Sequence, residues 1–143
     1  VLGTQRSRIA DSERRARLDF VAPALSPHAE ERARFFASLA DPAKRTREPW
    51  VIEAAGWLHH PLRSDTSLDL IEPSLDLLEE LQRTGDIFFP SRWAESLLFG
   101  HASPAAAELV REFLADHPGF PRSLRRTVLI AADVLFRVGH PSY

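Results

Sequence analysis

Leu77-Leu-Glu-Glu-Leu-Gln-Arg-Thr-Gly-Asp-Ile-Phe-Phe-Pro-Ser-Arg-Trp93 is the stretch whose reading decides the fold class. Its leucines keep helical spacing up to Leu81. Gly85 is the residue expected just past the helix end, in a left-handed stop with Ile87 folding back on the last turn. Pro90 is suited to the first turn of a second helix. Ile87, Phe88, Phe89 and Trp93 are expected to lock two layers together, so the stretch reads as the hinge of a helical hairpin.

The chain on either side repeats this grammar. Upstream, Leu68, Ile71, Leu75 and Leu78 recur at spacings of three and four, widened by Leu70, Leu77 and Leu81. Pro73 falls inside that stripe. The leucine phase survives it, so the expectation is one kinked helix over 67–84 rather than a fresh start after Glu72. A helix over 48–59 begins at Glu48-Pro49, with Trp50, Ala54, Trp57 and Leu58 on one face and Val51, Ala55 and Leu62 extending it. Gly56 lies within it and costs about 1 kcal/mol relative to alanine unless a close backbone contact uses it.

The N-terminal part predicts a helix over 5–25, with Ile9, Ala16, Phe20 and Ala24 near one face and Pro23 bending or ending it. Ser26-Pro27 predicts an N-cap and first-turn proline for a helix over 27–40, whose buried face would carry Ala29, Ala33, Phe36, Ala37 and Ala40. A charged connector with room for one helical turn follows Asp41-Pro42. Downstream, Pro90 opens a helix stopped by Gly100. Ser103-Pro104 opens another, burying Ala106, Leu109, Val110, Phe113 and Leu114. Pro121 begins the last, lined by Leu124, Val128, Ala131, Leu135 and Val138 and capped by Gly139.

This makes seven helices with short proline- or glycine-marked turns and no period-two alternation, hence no strand. The fold class is all-α. Short connections favour antiparallel neighbours, and a row of such hairpins is an irregular superhelix, a HEAT- or armadillo-like α-α solenoid. A faint internal echo agrees: Arg34-Phe-Phe-Ala-Ser-Leu-Ala-Asp-Pro42 resembles Arg111-Glu-Phe-Leu-Ala-Asp-His-Pro118.

Bulk properties set bounds. The 143 residues correspond to one domain. A chain of that size buries roughly 68–70% of its unfolded surface, enough for a core without staples. A net charge of −2 gives no reason to expect nucleic acid. No apolar run suits a membrane span. Cysteine is absent, which removes disulfides and thiolate metal sites and leaves the compartment open. Methionine is absent as well, and the chain opens on Val1, so the expectation is a piece of something longer. Seventeen of its eighteen basic residues are arginine, which grips planar acceptors more rigidly than lysine does.

No catalytic motif is complete. None of the six histidines is followed by glutamate, so His-Glu-x-x-His is missing. His59 and His60 are adjacent on a helix and point about 100° apart, which prevents joint chelation. His60, His117 and His140 precede prolines at helix ends, where a cation-capable ring suits the dipole. Asp65, Asp69, Glu72, Asp76, Glu79 and Glu80 could pair for acid–base chemistry, but their spacing is that of a solvated helix face. Arg122, Arg125 and Arg126 sit where the dipole disfavours cations. They either pair with the acidic helix or receive a carboxylate such as a peptide terminus. The tryptophans and phenylalanines read as packing, and Ser91 and Ser103 as caps.

Arg47-Glu-Pro-Trp-Val-Ile-Glu-Ala54, Leu58-His-His-Pro-Leu-Arg63 and Arg83-Thr-Gly-Asp-Ile-Phe-Phe-Pro-Ser-Arg-Trp93 resemble the C-terminal helical region of bacterial members of the aminopeptidase N family of zinc metallopeptidases. The segment from Leu124 to Phe136 fits it too, so the resemblance spans about residues 20–138. The family's His-Glu-x-x-His, distal glutamate and Gly-x-Met-Glu-Asn loop have no counterpart here, so no catalytic or zinc-binding residue carries over. The resemblance implies a non-catalytic domain, 1–143, forming a C-terminal fragment of a longer zinc-dependent aminopeptidase. It would wall the substrate chamber and tune peptide access and length. Its implied partners are the parent's catalytic domain and the peptide substrate, with zinc in the parent and no cofactor in this piece. Arg63, Arg83 and Arg92 adjoin the quoted motifs and are the candidates for contacting peptide. The competing reading is a stand-alone helical-repeat module that binds a protein partner. A stand-alone enzyme has no nucleophile–base or metal constellation behind it.

Overall fold

The computed structural model describes residues 2–138. Every regular element among them is helical. Nine α-helices run in order: α1 (Leu2–Val21), α2 (Ala29–Ser38), α3 (Glu48–Leu58), α4 (Ile71–Asp76), α5 (Leu78–Thr84), α6 (Phe89–Leu98), α7 (Pro104–Asp116), α8 (Arg122–Ala131) and α9 (Asp133–Val138). Two of the seven expected helices are jointed, which accounts for the larger number. The segment around Pro73 stays right-handed but is divided into a 3₁₀ turn (Leu68–Leu70), α4 and α5, with Pro73 in the first turn of α4 and a joint at Leu77. The last helix is jointed at Ala132. The expected stop at Gly139 and the ring of His140 lie outside the described residues, as does the side chain of Ile9.

Local chemistry sets most of the starts. Ser103 Oγ accepts from the Ala106 amide at 3.1 Å and caps α7. Asp41 accepts from the Ala43 amide at 3.0 Å and starts the 3₁₀ turn Pro42–Arg45 in the charged connector. Ser26 acts differently from expectation. It accepts from the His28 amide at 3.1 Å and bonds Glu31, so α2 begins after His28 rather than at Pro27.

The helices form two rows of opposite direction. In the first row α1 runs alongside α3. Arg47 meets Glu13 at 3.2 Å near the start of α3, Arg17 bonds Glu53, and Val21 and Ala24 pack with Ala54 and Leu58 further on. α3 and α6 are likewise parallel: Glu48 meets the Asp86 amide at one end, and His59 meets His101 at the other. α8 follows α6 in the same sense, with Gln82, near the end of α5 where the chain turns into α6, bonding Ser123 near the start of α8, and Leu98, Phe99 and Ala131 sharing a cleft at the far ends. The second row runs back. Ser74 of α4 lies beside His59, while Thr84, at the end of α5, is reached by Arg45 from just beyond α2. Arg32 bonds Thr66 near the start of α2, so α2 runs with α4–α5. α7 ends with His117 3.6 Å from Asp76, the last residue of α4.

The core lies between the rows. Ile71, Leu75, Leu78 and Leu81 are fully enclosed with Trp93, Leu97, Val110, Leu124 and Val128. Fully burying one such aliphatic side chain contributes roughly 1.5–3 kcal/mol. Two expected faces are shifted. On α3 the buried set is Val51, Ala54, Ala55 and Leu58, while Trp57 is 37% exposed and Leu62 is 90% exposed. On α2 the alanines Ala29, Ala33, Ala37 and Ala40 face outward, and Arg32, Phe35, Phe36 and Leu39 turn in. Phe35 and Phe36 bury more area than the alanines could, so the helix rotates to enclose them.

Arginine closes several helix ends. Arg45 donates to Leu39 O at 2.6 Å just past α2, and Arg125 donates to Leu114 O at 3.0 Å and His117 O at 2.8 Å at the end of α7. Arg32 and Arg63 close the 3₁₀ turn Ala22–Leu25 by donating to Ser26 O, Ala24 O and Leu25 O. Helix C-termini leave carbonyls without intrahelical partners, and a cation there also suits the dipole. Arg125 therefore neither joins an ion-pair network with the acidic helix nor stands free for a carboxylate.

Candidate functional site

The three motif segments quoted above converge on the α3–α6 pair. At the N-terminal end of that pair, Glu48 accepts from the Asp86 amide at 3.0 Å. Asp86 in turn accepts from the Phe88 amide at 2.9 Å, which sets the turn into α6. Gly85 is extended, at φ −106° and ψ −177°, so the left-handed stop expected there is absent. What requires glycine is space: a Cβ would lie 2.6 Å from Phe89 Cδ2, 2.9 Å from Leu81 O and 3.0 Å from Glu48 Oε2.

The aromatic run divides at this end. Phe89 and Trp93 are buried, whereas Ile87 is 84% and Phe88 60% exposed. Only half of the set expected to lock two layers does so. Arg92 lies over the Phe88 ring, 5.7 Å from its centroid. A cleft of about 220 Å³ opens beside it, lined by Glu48, Pro49, Ile52, Phe89 and Arg92. Arg83 is exposed on the last turn of α5, four residues before Ile87. Arg83 and Arg92 thus share this end. Arg63 does not: it lies beyond the C-terminal end of α3, roughly 16 Å along an 11-residue helix, with its guanidinium on Ala24 O and Leu25 O.

The opposite end of the pair is closed by a buried polar chain. Trp93 Nε1 donates to Ser74 O at 2.8 Å. Ser74 Oγ lies 3.5 Å from His59 Nε2, and His59 Nδ1 lies 2.9 Å from His101 Nε2. His101 Nδ1 has no partner among the described residues. This selects the tautomers. If His59 donated to His101, a buried N–H would be stranded at Nδ1. If His101 Nε2–H donates to His59 Nδ1, and His59 Nε2–H to Ser74, only a lone pair is left over. Stranding an acceptor is less costly than stranding a donor. Burial, then the neighbouring His101, push the His59 ring down to about 3, and burial pushes His101 down to about 4. Both rings are therefore neutral near pH 7.

The sequence carries a signal for the burial of His59, though not for its partner. His59 lies four residues after Ala55 and eight after Val51, on the buried stripe of α3. Gly100 precedes His101 and touches the same place, because a Cβ there would lie 1.6 Å from His59 O. The other histidines divide. His117 bonds Phe113 O at 2.8 Å, as a C-terminal ring should. His60 instead accepts from the Leu62 amide at 3.1 Å and stacks on Trp57, starting the next turn rather than ending α3.

The acidic residues Asp65, Asp69, Glu72, Asp76 and Glu79 are all exposed, and Glu80 pairs with Arg45 at 3.2 Å. No three His, Asp or Glu side chains among the described residues gather as a metal-ligand set. The His59–His101 pair does not fit zinc either, since the facing nitrogens bond each other and no third donor of that kind adjoins them. Comparison with models of known families, with curated proteins and with solved structures finds no match.

Proposed function

We propose that this chain is the non-catalytic C-terminal helical domain of an aminopeptidase N-like zinc peptidase, where it walls the substrate chamber and tunes peptide access and length. The observation that carries the reading is the convergence of the three resembling segments. The first two adjoin along α3, while the third leads into α6, and Glu48 accepts from the Asp86 amide across the pair. A shared constellation is a stronger basis than three separate likenesses.

The two opposed rows support an irregular α-α superhelix, in which equivalent helices of successive hairpins run parallel. The internal echo agrees: α2 and α7 carry its two copies, and each ends on a carbonyl held by an arginine. Within this reading the N-terminal end of the α3–α6 pair faces the peptide. Arg92 and Arg83 supply positive charge there, and Ile87 and Phe88 supply apolar surface. Arg63 is assigned to holding the Ala24–Leu25 turn.

The polypeptide that contains residues 1–143 tests this directly. A His-Glu-x-x-His with a distal glutamate upstream of Val1 is expected, and a start codon at that point would decide for the stand-alone module. In the full-length parent, Arg92→Ala and Arg83→Ala should alter the dependence of hydrolysis on peptide length. An unchanged length profile in both variants would remove the peptide-facing assignment.

A further inference from the structure

The His59–His101 pair has no role in the reading above, and its surroundings are unusual. It joins residues just past the ends of two parallel helices, where Gly100 lets the backbones approach closely. Each ring is almost wholly enclosed, at 1% and 3% exposure. On the α4 side the His59 ring meets the Ser74 hydroxyl, and Trp93 of α6 donates to the Ser74 carbonyl. On the other side lies a cleft of about 270 Å³, lined by Leu98, Phe99, Ala131, Val134 and Leu135, with His101 in its wall. The ionisable group acting on His59 is His101, and burial alone acts on His101; among the described residues no carboxylate offsets a charge on either ring.

We propose that this pair is a proton-triggered latch: it holds the C-terminal ends of α3 and α6 together while both rings are neutral, and lets them part when a ring takes a proton. A proton on His101 turns Nδ1 into a buried N–H with no acceptor. A proton on His59 makes both of its nitrogens donors, one facing His101 Nε2–H. Neither state is satisfied in place, because a buried charge needs a partner. The cleft beside His101 gives that ring a route to water, past Phe99 and Val134.

The direction of the pH effect follows from the lowered affinities. The closed form binds fewer protons than the open form wherever the open rings, near their ordinary value of about 6.5, are charged and the closed rings are not. Stability of the closed form is complete above that value and falls as pH drops through it. The fall levels off once the closed rings also titrate, near 4 for His101 and near 3 for His59. Between these limits the open population rises up to about tenfold per pH unit for each proton taken up.

The test is amide hydrogen exchange and imidazole nitrogen NMR on the 143-residue chain from pH 7.5 to 4.5. After correction for intrinsic exchange chemistry, amides of residues 58–60 and 98–103 should lose protection by at least about tenfold per pH unit below 6, while those of α7 keep theirs. His101→Gln retains a side-chain donor toward His59 and removes one titrating ring, so the pH slope should be reduced by about half. Two results would overturn the proposal: rings that titrate near 6.5 with protection unchanged, or protection lost evenly across α3, α6 and α7. If His101→Gln fails to fold, the wild-type exchange profile decides alone.

Discussion

The two ends of the α3–α6 pair are built from the same two helices in the same register, yet they differ in almost every physical respect. The C-terminal end is sealed. His59, His101 and Ser74 are buried there and Gly100 admits backbone-to-backbone approach. The N-terminal end is open: Glu48 is bonded to a backbone amide, and Ile87, Phe88, Arg83 and Arg92 are exposed. Parallel packing alone therefore does not determine what an end can do. The sealed end fixes the spacing of the pair, and the open end has free surface on a fixed scaffold, the arrangement that recognition requires.

Substitutions at the two ends measure that asymmetry. The largest effect belongs to Gly100→Ala. Its Cβ would meet the His59 carbonyl, which is backbone and cannot rotate away, so the ends must separate at a cost on the order of 3–5 kcal/mol, read as a shift in denaturation midpoint. Trp93→Phe comes next. It keeps an aromatic ring but strands the Ser74 carbonyl in the core and should cost about 1–3 kcal/mol in the same measurement. Gly85→Ala should cost less, roughly 1–2 kcal/mol, because its closest neighbour is the Phe89 side chain and its φ suits alanine. Arg92→Ala at the open end should change stability by no more than about 0.5 kcal/mol in the same measurement. A Gly85→Ala cost equal to that of Gly100→Ala would abolish the distinction between the ends.

Helix existence was legible because prolines, serines and leucine spacing act locally. Ser103 caps where its side-chain chemistry predicts, whereas Ser91 lies inside the first turn of α6, which has no side-chain cap. Rotation of a helix about its axis was less legible. On α2 four alanines at helical spacing outline a plausible buried face, but burying alanine yields little, and Phe35, Phe36 and Leu39 fix the orientation. The same applies to Trp57, whose ring finds His60 at the surface instead of the core. Glycine was misread at Gly85 because a sequence does not show whether the residue is needed for its dihedral angles or for its missing Cβ. The His59–His101 contact spans 42 positions, and nothing local to either histidine announces the other.

The arginines that close helix ends have a consequence for how the molecule comes apart. No residue among those described has a positive φ, so none of the helices from α1 to α8 is stopped by a self-contained left-handed turn. Arg63 reaches back 38 and 39 positions to do it. Such a stop exists only while the neighbouring segment is docked. The boundary of the Ala22–Leu25 turn is thus set by assembly, whereas α3, α5 and α6 end on their own backbone bonds. Fraying of that turn is therefore tied to release of the Pro61–Thr66 segment that carries Arg63, and the two should lose protection together.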